Sequence, residues 1–301
     1  MNHDQTIIHF REVKKSYGRV QALDGLSFTA AKYGCLGLLG PNGAGKTTAI
    51  KCLLNLTHYE SGSVDVQARR IGYVPQQPAL FPWMTAEETL RFIGAERGLR
   101  GKALEDAIEY RLDQIGLLKA KRRRTGGFSG GMKQRLALAA ALIHEPDLLV
   151  LDEPVSALDP VGRHDVLALL NVLKRDRAIV MSTHILDDAE RVCDDVVIMR
   201  EGHAALQQSM GQIRVTVNLR YDVELLGEAA AIAAAGALLQ TQPYVSGCRQ
   251  VGSVLALTLH RLEEVPALLH TLASLEDVQV IRLEQSKPSL EDIFLQVVNG
   301  Q

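Results

Sequence analysis

The sequence has no CxxC pair and no metal-ligand spacing among its four cysteines; Cys35, Cys52, Cys193 and Cys248 lie far apart. Such a set reads as reduced, mostly structural thiols of a cytosolic chain and excludes a disulfide-held scaffold. There is no basic excess either. Lys and Arg total 33 against 35 Asp and Glu, a formal net charge of −2, whereas a dedicated nucleic-acid binder carries a strong positive surplus. The opening residues MNHDQTIIHFREV lack the charged-then-apolar order of a signal peptide. The longest apolar run, AAAIAAAGALL from Ala229 to Leu239, is too short and too alanine-rich to span a bilayer. A membrane role therefore has to come through a partner. No internal repeat or low-complexity segment is visible.

What is present is an ordinary globular chain of 301 residues, 47% hydrophobic and 23% charged, long enough for one good core and a smaller second one. Thr6–Val13 and Leu26–Ala30 alternate as strands around a turn-like YGR. CLGLLG (Cys35–Gly40) is a buried strand running through a glycine loop into the helical KTTAIKCLL. RIGYVPQ gives another short strand. From Thr85 to about Leu118 the pattern is helical, and Thr85 with Glu88 three residues on makes a capping-box start. Farther along, DLLVLDEP, AIVMSTHI and DDVVIMREG are apolar strands of the fully buried kind, interleaved with helices such as GRHDVLALLNVLKR. That alternation predicts a parallel sheet covered on both faces. Near Gln212 the character changes. IRVTVNLRY alternates, VELLGEAAAIAAAGALL is helical, SVLALTLH alternates, LEEVPALLHTLASL is helical, VQVIRLE is a strand and SLEDIFLQVV is a capped final helix. This reads as a separate small α+β domain with a ferredoxin-like rhythm.

The chemistry concentrates in a few stretches. GPNGAGKT, Gly40–Thr47, fits G-x-x-x-x-G-K-[ST] between a buried strand and a helix. Its glycines let backbone N–H groups turn onto phosphate oxygens, and the helix start adds orphan donors and a positive dipole end. Lys46 can reach the β- and γ-phosphates, and the Thr47 hydroxyl can ligate Mg²⁺. A chance match is expected in roughly one chain in a hundred of this length. DLLVLDEP ends an apolar strand in two carboxylates: Asp152 is placed to hold Mg²⁺, and Glu153, pointing differently because strand side chains alternate, to polarise an attacking water. Gln76 and Gln77 close one strand, and His184 closes another, where it could meet a γ-phosphate. A lone histidine there is more often simply buried, a lone glutamine simply exposed. KRRR (Lys121–Arg124) reads as a solvated face, and SALD (Ser156–Asp159) as a helix entry. GGFSGGM, Gly126–Met132, sets a second glycine cluster before a helix, a second anion-binding signature in a chain that already has one.

Taken in order, GPNGAGKTT, YVPQ, FSGGMKQR, LLVLDEP, SALD and STH, from Tyr17 to about His203, resemble the ATP-binding cassette ATPases. The resemblance implies a P-loop NTPase (RecA-like) α/β core with an antiparallel β subdomain and a helical subdomain (about 85–135), together residues 1–212, followed by an accessory α+β domain at 213–301. It implies that Tyr17 stacks on adenine and that Gly40, Pro41, Asn42, Gly43, Ala44, Gly45, Lys46, Thr47 and Thr48 hold the phosphates. Gln76 becomes the sensing glutamine, His184 the switch histidine, Glu153 the catalytic carboxylate. Mg²⁺ falls to Thr47, Gln76 and Asp152. FSGGM corresponds to the family signature LSGGQ, with Phe128 for leucine and Met132 for glutamine around an intact Ser129-Gly130-Gly131. In this family the signature completes a neighbour's ATP site, so the implied partner is a second copy or homologous subunit.

GGFSGGMKQRL together with PSLEDIFLQVV is similar to ATPase subunits of bacterial exporters whose membrane-spanning subunit is a separate polypeptide. That implies a peripheral chain at the cytoplasmic face of the membrane, bound to an integral membrane permease and to no nucleic acid. Two alternatives stay in view. A soluble cassette ATPase acting on DNA or ribosomes usually carries a coiled-coil insertion or two cassettes, and neither appears. A nucleotide-gated regulator with little turnover would not need both Glu153 and His184. The small C-terminal domain could dimerise, sense a ligand or brake the ATPase.

Overall fold

The computed structural model describes residues 6–217, 219–285 and 290–299. The chain divides into two compact units, Met1–Met210 with Phe294–Gln301, and Gly211–Ile293.

In the first unit, β1 (Thr6–Tyr17) and β2 (Val20–Ala31) form a long hairpin, and β4 (Ser61–Val66) pairs with the other side of β1. All three strands are antiparallel. Phe10 lies opposite Phe28, and their rings stack with centroids 4.4 Å apart. Ile8, Val13 and Leu26 join them in the core. A second sheet runs β5 (Ile71–Val74), β6 (Leu148–Asp152), β7 (Ala178–Thr183), β3 (Gly34–Leu39), β8 (Asp195–Arg200), β9 (His203–Ser209). Its first five strands are parallel and β9 is antiparallel. Every residue of β6 and β7 is buried, as expected of strands covered on both faces. The crossovers bring the carboxyl ends of β3, β7 and β6 side by side, where open α/β sheets bind their ligands.

Helix α1 (Lys46–Leu53) follows β3. α2 (Ala86–Glu96), α3 (Gly101–Gln114) and α4 (Gly130–Leu142) form a helical cluster around Leu90, Leu112, Phe128 and Leu136. The expected capping box is present: Glu88 N donates to Thr85 Oγ1 (3.1 Å), and Thr85 N to Glu88 Oε2 (2.8 Å). The helical stretch is broken at Gly98, whose φ of 90° no continuous helix accepts. α5 (Pro160–Leu173) and α6 (Leu186–Val192) precede β7 and β8.

α7 (Met210–Val217) leads to the second unit, which contains β10 (Arg220–Leu226), α8 (Ala229–Gln240), β11 (Val245–Val251), β12 (Val254–Leu259), α9 (Val265–Ala273) and β13 (Gln279–Gln285). The antiparallel order β11-β12-β10-β13 is the split βαβ pattern of ferredoxin-like domains. Tyr221, Val223 and Leu225 of β10 alternate inward onto Ile232 and Leu239 of α8 and Leu268 of α9. α10 (Leu290–Asn299) ends the described chain.

Some local expectations are corrected. IRVTV is helical rather than a strand, and only Arg220 onward is extended. Met210 and Ile213, both buried three residues apart, follow the helical period. VELL belongs to β10, and the helix starts only at Ala229. Strands β4, β9 and β11 had no clear signal in the sequence; each lies at the edge of its sheet and carries polar or glycine-rich residues. The expected cap of the last helix falls on Ser289, outside the described residues.

Candidate nucleotide-binding and catalytic site

Strand β3 ends at Leu39, and the chain then turns through Gly40–Gly45 into α1. Gly40, at φ 156°, and Gly45, at φ 101°, have no room for a side chain: a Cβ would come within 2.5 Å of Met199 O and Ala22 O respectively. Pro41, Asn42 and Gly43 are exposed at the crest, and Ala44 is buried beneath them. Gly45 is the N-cap of α1, so the N–H groups of Lys46, Thr47 and Thr48 are first-turn donors without helical partners. Lys46 is buried, and its ammonium donates to Gly40 O (2.8 Å) and Pro41 O (3.0 Å). Burial pushes its pKa below the ordinary lysine value, against the opposing pull of Glu153 and Asp152.

Strand β6 brings Asp152 to the loop. Its carboxylate, buried at 2% exposure, accepts at Oδ1 from Thr47 Oγ1 (3.2 Å) and from Ser182 Oγ (2.6 Å). Hydroxyl and carboxylate oxygens are the hard donor set that suits Mg²⁺, and Gln76, whose Nε2 bonds the neighbouring Glu153, carries an amide oxygen of the same kind. Among the described residues no group of three or more His, Cys, Asp or Glu side chains is placed to hold a metal. A cation that keeps most of its waters and takes one carboxylate needs no such cage.

Glu153 departs from Asp152 for a reason other than strand alternation. β6 ends at Asp152, and Glu153 adopts a left-handed φ of 47°. Its N–H donates to Ser182 Oγ (3.0 Å). Its carboxylate, only 11% exposed, is bracketed on both oxygens: Gln76 Nε2 donates to Oε2 (2.9 Å), and His184 Nδ1 lies 3.1 Å from Oε1. Gln76, not Gln77, makes this contact, from the segment just after β5. His184 comes from the end of β7. The structure thus joins Lys46, Thr47, Gln76, Asp152, Glu153 and His184 in one cluster. Ser182 was missed; a serine inside the apolar AIVMST strand was its only signal.

Tyr17 closes β1 with a half-exposed ring, Lys15 Nζ 4.9 Å from its centroid. The same hairpin reaches the loop where Ala22 O crowds Gly45. Ser129, Gly130 and Gly131 are not in the cluster. Ser129 is the N-cap of α4, its Oγ accepting from Met132 N (3.2 Å), and the glycines neighbour Ala157 and Leu158. SALD is a helix entry: Asp159 caps α5 by accepting from Gly162 N (2.9 Å), and Ser156 Oγ donates to Glu153 O (3.1 Å).

A family model described as ABC transporter matches residues 23–156, and one described as ATP-binding protein DrrA1-3-like, C-terminal domain, matches 204–298. An uncharacterized ABC transporter ATP-binding protein, YxlF of Bacillus subtilis, is 39% identical over 95% of this chain and 97% of its own length. The chain belongs to the ABC transporter family. A Nod factor export ATP-binding protein I of Burkholderia lata is 40% identical over 68% of this chain and 74% of its own. A solved ATP-binding subunit of an ABC transporter superposes with a TM-score of 0.63 at 30% identity, covering 70% of this chain and 92% of that one. The cbiO1 subunit from Clostridium perfringens, part of the cbiONQ complex, gives 0.62 at 27% identity, over 71% and 95%. The first unit is therefore an ATP-binding cassette with the P-loop NTPase fold, and the relatives lend no support to a nucleic-acid-directed ATPase.

In this cassette the two departures from LSGGQ have a packing cause. Phe128 is buried in the core of the helical cluster, and Met132 is half-buried against it. Ser129 and Gly130 between them stay exposed. The substituted positions face the helices.

Proposed function

We propose that this chain binds ATP with Mg²⁺ at Gly40–Thr48 and hydrolyses it to power a separate membrane-spanning subunit of an exporter. The observation that carries the reading is Glu153, a carboxylate held on one oxygen by Gln76 and on the other by His184 beside a complete phosphate loop. A carboxylate fixed in this way can orient and deprotonate a water. Arriving triphosphate would exchange the Gly40 and Pro41 carbonyl bonds of Lys46 for charge-assisted bonds to phosphate oxygens, and the N–H groups of the loop and of the first turn of α1 would add theirs. Tyr17 would stack on adenine. Mg²⁺, held by Thr47 Oγ1, Asp152 and the Gln76 amide oxygen, would neutralise charge on the β- and γ-phosphates. His184 would donate to the γ-phosphate while steadying Glu153.

Ser129 and the N–H groups of Gly130 and Gly131 would serve the site of a second copy or homologous subunit in a head-to-tail pair. Each charge-assisted hydrogen bond contributes about 1.5–3 kcal/mol, so a few of them to a γ-phosphate favour the closed pair before hydrolysis and release it after. Residues 1–212 form the nucleotide-binding domain in this reading, with the helical subdomain at about 85–135 passing the motion to the permease; 213–301 form an accessory domain for dimerisation or regulation. No described helix is long and apolar enough to cross a membrane, which suits a peripheral subunit at the cytoplasmic face.

The test is Mg²⁺-dependent phosphate release by the purified chain, with and without membranes carrying its permease, together with identification of the membrane protein that copurifies. Failure to bind ATP, or turnover indifferent to Mg²⁺, would refute the reading.

A further inference from the structure

Four connections enter the parallel strands β3, β5, β6 and β7 at the amino ends of the sheet, the end away from the nucleotide cluster. Tyr33 precedes β3, Arg69 precedes β5, Asp147 precedes β6 and Arg177 precedes β7. With Lys32 and Asp176 they line a cavity of about 400 Å³. Strands β6 and β7 are five and six residues long, so roughly 15–20 Å of strand separates this cavity from Asp152 and His184.

The charges around the cavity are unevenly spent. Asp176 accepts from Arg177 Nε (2.8 Å) and Nη2 (3.3 Å). Asp147 Oδ2 accepts from the backbone N–H groups of Arg69 (3.2 Å) and Arg70 (3.1 Å), and its other oxygen lies 3.7 Å from the Arg70 guanidinium. Both carboxylates are therefore engaged, and a cation would have to compete for them. The positive side is not. Arg177 is only 8% exposed, and its Nη1 is buried with no hydrogen-bond partner among the described residues. Buried donors without a partner are uncommon, and an acceptor brought by a ligand is one way to satisfy them. Lys32 and Arg69 are exposed and form no ion pair among the described residues; Lys32 Nζ lies 5.8 Å from the Tyr33 ring centroid.

We propose that this cavity binds a small phosphate monoester, with Lys32, Arg69 and Arg177 meeting its oxygens and the exposed Tyr33 ring against its organic part. The three cations come from three separate segments. That suits the several oxygens of a tetrahedral group better than a planar carboxylate, which offers two in one plane. A phosphate monoester carries about −1.5 to −2 charge at neutral pH, and the bonds it accepts from ionised donors are of the strong kind. The site is distinct from the phosphate loop, so it stands whether or not the chain turns over ATP.

The experiment is equilibrium dialysis of the full chain against phenyl phosphate, with saturating Mg·ADP present to occupy Gly40–Thr48, and with benzoate as the planar comparison. Wild type is expected to bind one phenyl phosphate, and benzoate about tenfold more weakly. Lys32→Ala with Arg69→Ala, two exposed positions away from the nucleotide cluster, should weaken phenyl phosphate about tenfold or more and leave ADP binding unaltered. Arg177→Lys keeps the charge and loses the planar fork, and should weaken it to a similar degree; the exposed pair decides the matter if that variant fails to fold. No binding beside Mg·ADP, equal binding of benzoate, or an affinity unaltered in the exposed double variant overturns the proposal. Binding seen only when ADP is left out would place the phosphate in Gly40–Thr48 and overturns it too. Failure to bind ADP would instead count against the proposed function, while phenyl phosphate binding lost in the double variant would still stand.

Discussion

Ser182 Oγ donates a 2.6 Å hydrogen bond to Asp152 Oδ1 and accepts one of 3.0 Å from the backbone N–H of Glu153. One hydroxyl, from the neighbouring strand, thereby holds the carboxylate assigned to the metal and shares with the Ser182 carbonyl (3.2 Å) the backbone N–H of the residue assigned to water. Ser182→Ala removes both bonds without filling space. Groups that orient a metal ligand typically matter 10–100-fold in metal affinity, so the Mg²⁺ concentration for half-maximal turnover is expected to rise about 10- to 100-fold. A Mg²⁺ titration of the ATPase checks it, and an unchanged midpoint would remove Ser182 from the site.

Glu153→Gln keeps the size of the bracketed side chain and removes its basicity. Turnover is expected to fall about 10²- to 10⁴-fold, while ATP binding remains and a nucleotide-bound dimer accumulates. Phosphate release and size-exclusion chromatography with ATP measure the two effects. Wild-type hydrolysis by this variant would mean that the base lies elsewhere.

Ser129→Arg places a long cation where α4 begins, away from the chain's own phosphate loop. The monomer should bind ATP as before, and turnover should vanish because the partner's site is blocked. Nucleotide binding at low protein concentration is the decisive measurement. A monomer that no longer binds would show that Ser129 acts within its own chain.

Arg163 and Asp188 tie α5 to α6 through a 2.6 Å bond, with Asp188 wholly buried. Burial raises the Asp188 pKa above the ordinary carboxylate value, and Arg163 opposes that rise. A carboxyl whose folded pKa is raised holds its proton more tightly in the folded chain. Stability therefore falls as pH rises from the ordinary value through the raised one, and the cost is complete above it. Arg163→Ala removes the opposing charge and widens that window. It is expected to cost about 3 kcal/mol at neutral pH, shrinking as acid protonates Asp188. Asp188→Asn, which still accepts from Arg163, should cost less. Urea melts at about pH 8 and about pH 5 would show the difference, and a pH-independent loss would contradict it.

The sequence was most legible where chemistry and periodicity coincide. The phosphate loop and the polar ends of DLLVLDEP and AIVMSTHI each close a buried, largely apolar strand, so motif and element support one another. The capping box at Thr85 was readable because both of its partners are local. Strands β4, β9 and β11 were not: the edge strands β5 and β13 were still readable from their apolar residues, whereas these three carry polar or glycine-rich residues and little apolar alternation. IRVTV misled because β-branched residues suggest strand, while burial at Met210 and Ile213 favours helix. Ser182 showed in the sequence only as a serine within an apolar strand: its role depends on β7 lying next to β6, a neighbour relation that no local pattern states. Phe128 and Met132 looked like changes to a binding motif, and only the packed structure shows them serving the helical cluster.

The left-handed backbone of Glu153 carries a consequence for how this protein can change. A non-glycine residue in that conformation costs about 1–2 kcal/mol, so the fold itself would be better served by glycine or asparagine at this position. Variants selected for thermal endurance alone should therefore drift toward losing this carboxylate, and on the proposed reading the glutamate persists only while the chain is required to turn over ATP.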